Sequence, residues 1–124
     1  MPIVNVTWGA KVDANVKKDF FEDVANVINE KTGTDKKLIY VFLNEIDDEN
    51  ARQPGPVAII DWTKQDARSP EAKNAIQEIL ADKLSSITGL KKEETVVIFN
   101  DIPLDSAGVG GVVRYKGLNL PKPE

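Results

Sequence analysis

Four short apolar runs and two amphipathic stretches alternate along the chain. Residues 2 to 8, Pro-Ile-Val-Asn-Val-Thr-Trp, read as a strand. Val16, Phe20, Val24, Val27 and Ile28 then recur at helical spacing, with Asp13 placed to cap the helix and Gly33 to stop it. Leu38 to Leu43 returns as a second strand. The same order follows in the second half: Val57 to Trp62 is a strand, and Ser69-Pro70-Glu71 is a capped helix start with proline at the first helical position. Ile76, Ile79, Leu80, Leu84 and Ile87 form its buried stripe, Gly89 stops it, and Thr95 to Phe99 is the last long strand. A short strand, Val112 to Tyr115, follows the turn Gly108-Val109-Gly110-Gly111.

The two halves match when the chain is slid against itself by 56 residues without a gap. Thr32-Gly33 falls on Thr88-Gly89, Lys36 on Lys92, Val41 on Val97, and Asn44-Glu45-Ile46 on Asn100-Asp101-Ile102. The helix positions agree too, Phe20 with Ile76, Val24 with Leu80 and Ile28 with Leu84. Such agreement indicates duplication and fusion of one β-α-β element. Within each unit a helical crossover makes the two strands parallel. The expected fold is α+β: two tandem β-α-β repeats forming a four-stranded sheet with two helices on one face, plus a C-terminal hairpin. We divide the single domain, 1–124, into a first unit, 2–55, a second, 56–113, and a tail, 114–124. The segment Asp47 to Pro56 links the units. The uncovered sheet face favours self-association.

Composition narrows the chemistry. The 124 residues suit one domain, and 16 Lys and Arg against 20 Asp and Glu give a net charge of −4, without the basic stripe that nucleic acid requires. The apolar runs are strand-sized, so no membrane span or secretory leader is expected, and a cytoplasmic location follows from that expectation. The absence of Cys and His removes thiol nucleophiles, Ser-His-Asp sets and zinc sites of the His/Cys kind. Asp47-Asp48-Glu49 reads as a solvated loop, not a metal site, and no cofactor is expected.

Pro2 stands out under these exclusions. Removal of Met1 would leave a proline secondary amine at the start of a strand, a group that apolar surroundings or a nearby cation can tune into a general base. Only three arginines, Arg52, Arg68 and Arg114, are available as bidentate carboxylate clamps.

Pro2, the strand end Asn100-Asp101-Ile102-Pro103, the turn Gly108-Val109-Gly110-Gly111 and the helix entry Ala67-Arg68-Ser69-Pro70-Glu71-Ala72-Lys73 together resemble the tautomerase superfamily typified by 4-oxalocrotonate tautomerase. The doubled length resembles its fused members, in which three chains form a trimer. The resemblance implies an arginine ten residues after the proline of each unit. In the ungapped match the first unit has Pro2 and Val12, and the second has Ala58 and Arg68. Pro2 and Arg68, drawn from different units, would then form the one surviving site. Tyr40 and Val96 stand where the short tautomerase carries a second arginine. Tyr40, Arg114 and Lys11 are further substrate-binding candidates, and Glu45 and Asp101 are candidates for handling water or a proton.

The activity implied is isomerisation of small 2-oxo or enol carboxylic acids by a homotrimer. Two alternatives stand beside it: a hydratase-type dehalogenase or decarboxylase of a three-carbon acid in the same superfamily, and a catalytically silent ferredoxin-like binding or oligomerisation module, since β-α-β-β-α-β order also fits that sandwich.

Overall fold

The computed structural model describes residues 1–114. Strand β1 (Ile3–Trp8) leads into helix α1 (Ala14–Thr32) and strand β2 (Tyr40–Glu45); β3 (Val57–Thr63), α2 (Pro70–Thr88) and β4 (Val96–Ile102) repeat that order. The sheet runs β2-β1-β3-β4. β1 and β2 are parallel, β3 and β4 are parallel, and the two units meet through antiparallel β1 and β3. The expected α+β fold is therefore present, with both helices on one face.

Alternation in the strands and the four-residue spacing in the helices build the core. Val4, Val6 and Trp8 of β1 and Ala58, Ile60 and Trp62 of β3 point to the helices, where they meet Phe20, Val24, Ile28, Ile76, Leu80 and Leu84. All are essentially excluded from water. Each large side chain so buried contributes roughly 1.5–3 kcal/mol. The Trp8 ring meets Phe20 edge-on at 5.5 Å, and the Lys83–Asp23 ion pair, 2.7 Å, joins the two helices. Ser69 caps α2 by accepting from the Ala72 N–H at 3.1 Å, whereas the Asp13 side chain makes no capping bond to α1. Gly33 and Gly89 close the helices in the left-handed conformation, φ 75° and 73°.

Some boundaries differ from the sequence reading. β2 starts at Tyr40, not Leu38, because Asp35 accepts from the Lys37 N–H and folds Lys36–Leu38 into a 3-10 turn. β4 runs past Phe99 to Ile102. Val16 is exposed: it lies in the first turn of α1, beyond the buried row of Phe20, Val24 and Ile28. The closing hairpin pairs β5 (Gly108–Val109) with β6 (Val112–Val113) across Gly110 and Gly111, both at positive φ. Tyr115 and the rest of the expected tail lie outside the described residues.

The largest difference concerns the repeat itself. The helices and second strands are related by 56 residues, but the first strands are related by 54. Ile3 is level with Tyr40, and Val57 is level with Val96. The Tyr40 N–H donates to the Pro2 carbonyl at 2.9 Å, and the Val96 N–H donates to the Pro56 carbonyl at 3.0 Å. Pro56, not Ala58, therefore occupies the place of Pro2. Ala58 is the buried counterpart of Val4. The passage from strand to helix absorbs the difference: residues 9–13 join β1 to α1, whereas β3 runs one residue further, to Thr63, and residues 64–69 join it to α2.

Candidate active site

β1 begins where β3 ends, so Pro2 stands at the C-terminal edge of the second unit. The antiparallel register pairs Ile3 with Asp61, and one further step brings Pro2 level with Trp62. Both are buried on the helix-facing side. Trp62 is in turn level with Asp101 on β4. Arg68, in the longer strand-to-helix connection, folds back over this end of the sheet with its guanidinium 5.1 Å from the Trp62 ring centroid. It is 3% exposed. Its Nη1 donates to the Thr63 carbonyl (2.7 Å) and Thr63 Oγ1 (2.9 Å), and its Nη2 donates to Thr34 Oγ1 (3.1 Å). Pro2 from the first unit and Arg68 from the second thus converge on Trp62, a proline and a cation beside one apolar wall.

Comparison with known proteins gives the same direction. The family model described as tautomerase enzyme matches residues 56–115, opening at Pro56. A probable tautomerase of Ralstonia nicotianae is 39% identical over 46 residues, 37% of this chain and 71% of that protein. The chain belongs to the tautomerase family. Among solved structures, the wild-type asymmetric trimer of the fused 4-OT designated R7 superposes with a TM-score of 0.80 at 20% identity, covering 93% of this chain and 98% of that one. Pt0534, solved after inactivation by 2-oxo-3-pentynoate, gives 0.78 at 21% identity over 96% and 98% of the two chains. A macrophage migration inhibitory factor-like protein from Entamoeba histolytica gives 0.72 at 12% identity over 90% and 97%. At these identities the structural likeness speaks for the fold, and the fused neighbours share the doubled β-α-β unit.

The other sequence-predicted residues of this tautomerase-family chain divide between the two ends of the sheet. Tyr40 adjoins Pro2 through the backbone, but its side chain stands half-exposed on the opposite, open face. Lys11 and Glu45 lie at the far end of β1, about 17 Å along the strand from Ile3. Lys11 is exposed and pairs with Asp47 at 3.1 Å, whose hydrogen bond and charge raise its pKa above the ordinary value. Neither Lys11 nor Glu45 meets Pro2 within one chain. Arg114 follows the closing hairpin, its N–H bonded to the Ala107 carbonyl, and its side chain is enclosed at 1% exposure.

Glu45 and Asp101 turn out to be braces. Glu45 accepts from Trp8 Nε1 (3.0 Å), the Val12 N–H (3.1 Å) and Lys17 Nζ (2.8 Å). Asp101 accepts from Trp62 Nε1 (2.8 Å) and Lys73 Nζ (2.6 Å). The Lys17 hydrogen bond, helped by those from Trp8 and Val12 and opposed by burial, lowers the Glu45 pKa. Burial works against ionised Asp101, yet Lys73 and Trp62 together still hold its pKa below the ordinary value. Each carboxylate thus ties a core tryptophan to a helix lysine. The same brace stands at the end that has Arg68 and at the end that has Val12, so it serves the repeated fold. These bonds give both carboxylates a structural part in the fold beside the water or proton role expected of them. Sequence reasoning missed Trp62, Thr63 and Thr34; the spacing of 54 between Trp8 and Trp62, and between Pro2 and Pro56, was the signal that would have found the first.

Proposed function

We propose that the chain is a cofactor-independent tautomerase of small 2-oxo or enol carboxylic acids. With Met1 removed, the Pro2 amine takes a proton from an enol oxygen or a carbon and returns it at another position, so atoms balance with no further reactant. Arg68 holds the substrate carboxylate, and its charge disfavours a protonated amine at the same end of the sheet, coupling binding to activation. The observation that carries this reading is the convergence of Pro2 and Arg68, from different units, on Trp62. Engagement of Glu45 and Asp101 in tryptophan braces favours proton transfer over water addition, which would need a carboxylate that holds water.

The working form is a homotrimer built through the open sheet face. Tyr40, Phe42, Val96 and Ile98 are each more than two-fifths exposed there, an apolar area that suits a second copy better than solvent. Chains of the same doubled unit form trimers in the fused 4-OT structures. A ketonisation assay on an enol acid such as phenylenolpyruvate tests the activity. Pro2→Ala is expected to lower kcat by about 100-fold or more, the usual contribution of a positioned general base. Unchanged kcat in that variant, or full activity in protein whose intact mass retains Met1, would remove Pro2 from the mechanism.

A further inference from the structure

The two ends of the sheet are an internal control. Both carry the same fold, the same tryptophan brace and the same helix closure, because Thr32 Oγ1 donates to the Ile28 carbonyl (2.7 Å) as Thr88 Oγ1 does to Leu84 (2.6 Å). They differ at three neighbouring places. Arg68, Thr63 and Thr34 stand at the Pro2 end, and Val12, Gly9 and Leu90 occupy the equivalent positions at the Pro56 end. An apolar residue in place of Thr34 is thus compatible with the fold: the Leu90 N–H still reaches Thr88 Oγ1 at 3.1 Å, as the Thr34 N–H reaches Thr32 Oγ1 at 3.4 Å.

The hydroxyls at the Pro2 end have a direction. Each threonine hydroxyl has one hydrogen. That of Thr32 goes to the Ile28 carbonyl, so in the 2.8 Å contact between Thr32 Oγ1 and Thr34 Oγ1 the hydrogen belongs to Thr34. The Thr34 oxygen is left facing Arg68 Nη2 as an acceptor. Its backbone is fixed as well, with the carbonyl accepting from Asn29 Nδ2 at 2.7 Å. Thr34 is fully buried and Thr32 and Thr63 nearly so, which makes a misdirected hydroxyl costly. Arg68 is therefore gripped on both terminal nitrogens, by Thr63 from its own unit and by Thr34 from the other.

We propose that Thr34 is a positioning residue that sets the plane of the Arg68 guanidinium for carboxylate recognition. This rests on the assignment of Arg68 as the carboxylate site. Thr34 touches no substrate: it acts through Arg68, and it does so across the unit boundary, so that the end of α1 controls a residue at the entry to α2.

The test uses 2-oxo-3-pentynoate and its methyl ester as covalent probes of the Pro2 amine. Thr34→Val should raise the half-saturating concentration of the acid by about tenfold, the loss expected when one hydrogen bond to a charged group is removed. It should leave the maximal labelling rate and the reaction with the ester unchanged, and Thr34→Ser should restore the wild-type value. An unchanged acid concentration, or equal weakening of acid and ester, overturns the proposal. If Thr34→Val does not fold, Thr34→Ala gives the same readout. If wild-type protein is not labelled at Pro2, the proline reading fails separately, and nitrogen NMR of the arginine guanidinium groups decides the matter. Faster rotation of the Arg68 guanidinium in Thr34→Val then supports positioning, and an unchanged rotation rate overturns it.

Discussion

Pro2 and Pro56 occupy equivalent places at opposite ends of one sheet, each giving its carbonyl to the first residue of the neighbouring parallel strand, at 2.9 and 3.0 Å. Their nitrogens are chemically different. The Pro56 nitrogen is tied into the bond to Gly55, whereas that of Pro2 becomes a free amine once Met1 is removed.

Pro56→Ala should therefore leave kcat on an enol acid at the wild-type value, while Pro2→Ala does not. Adding the missing cation by Val12→Arg should also create no second activity, since no amine can form at that end. Steady-state kinetics of the three variants checks both statements.

Arg68 is the cation of the proposed site, and it is also buried between the two units. Arg68→Ala should raise KM for a carboxylate substrate by about 10- to 100-fold, as expected for charged hydrogen bonds worth roughly 1.5–3 kcal/mol. Arg68→Lys keeps the charge but loses the planar fork that spans Thr63 and Thr34, so its KM should fall between the two. A thermal melt alongside the kinetics separates lost binding from lost fold.

The braces predict an acid limb of stability. Glu45 and Asp101 have lowered folded-state pKa values, so the stability they contribute is complete above the unfolded value of about 4 and is lost as pH falls through their folded values. Glu45→Gln and Asp101→Asn should each lower the melting temperature at neutral pH and flatten its decline in acid. Melting curves from neutral pH down to strongly acidic buffer would show this.

The open face predicts the assembly. Ile98→Lys places a charge on the open face beside Val96, at the β4 edge of the sheet, and should turn a trimer into monomers with an unchanged circular dichroism spectrum. Sedimentation equilibrium distinguishes the two states.

Much of this fold was legible because its signals are local. Ser69-Pro70 and the glycines at 33 and 89 mark helix ends by their own chemistry, and the buried rows Phe20-Val24-Ile28 and Ile76-Leu80-Leu84 need only helical spacing. The equivalence of Ala58 with Pro2 failed for a reason specific to strands. A two-residue shift leaves every side chain on the same face, so apolar alternation cannot distinguish a repeat of 54 from one of 56. Arg68 was legible from the family's helix entry even though its spacing from Pro56 is twelve and not ten. Its partners were not, because Thr34 is brought to Thr63 only by the packing of one unit on the other.

Glu45 and Asp101 illustrate a different limit. Carboxylates at strand ends suit either catalysis or bracing, and their bonds to the Trp8 and Trp62 N–H groups become visible only in the folded chain.

The central claim is that one proline amine per chain is activated beside Arg68. Peptide mapping by mass spectrometry after incubation with 2-oxo-3-pentynoate tests it most directly. A single stoichiometric adduct should form on Pro2, sharply slowed in Arg68→Ala; retained Met1 with no adduct, or an adduct elsewhere in the chain, would rule out an activated Pro2 amine.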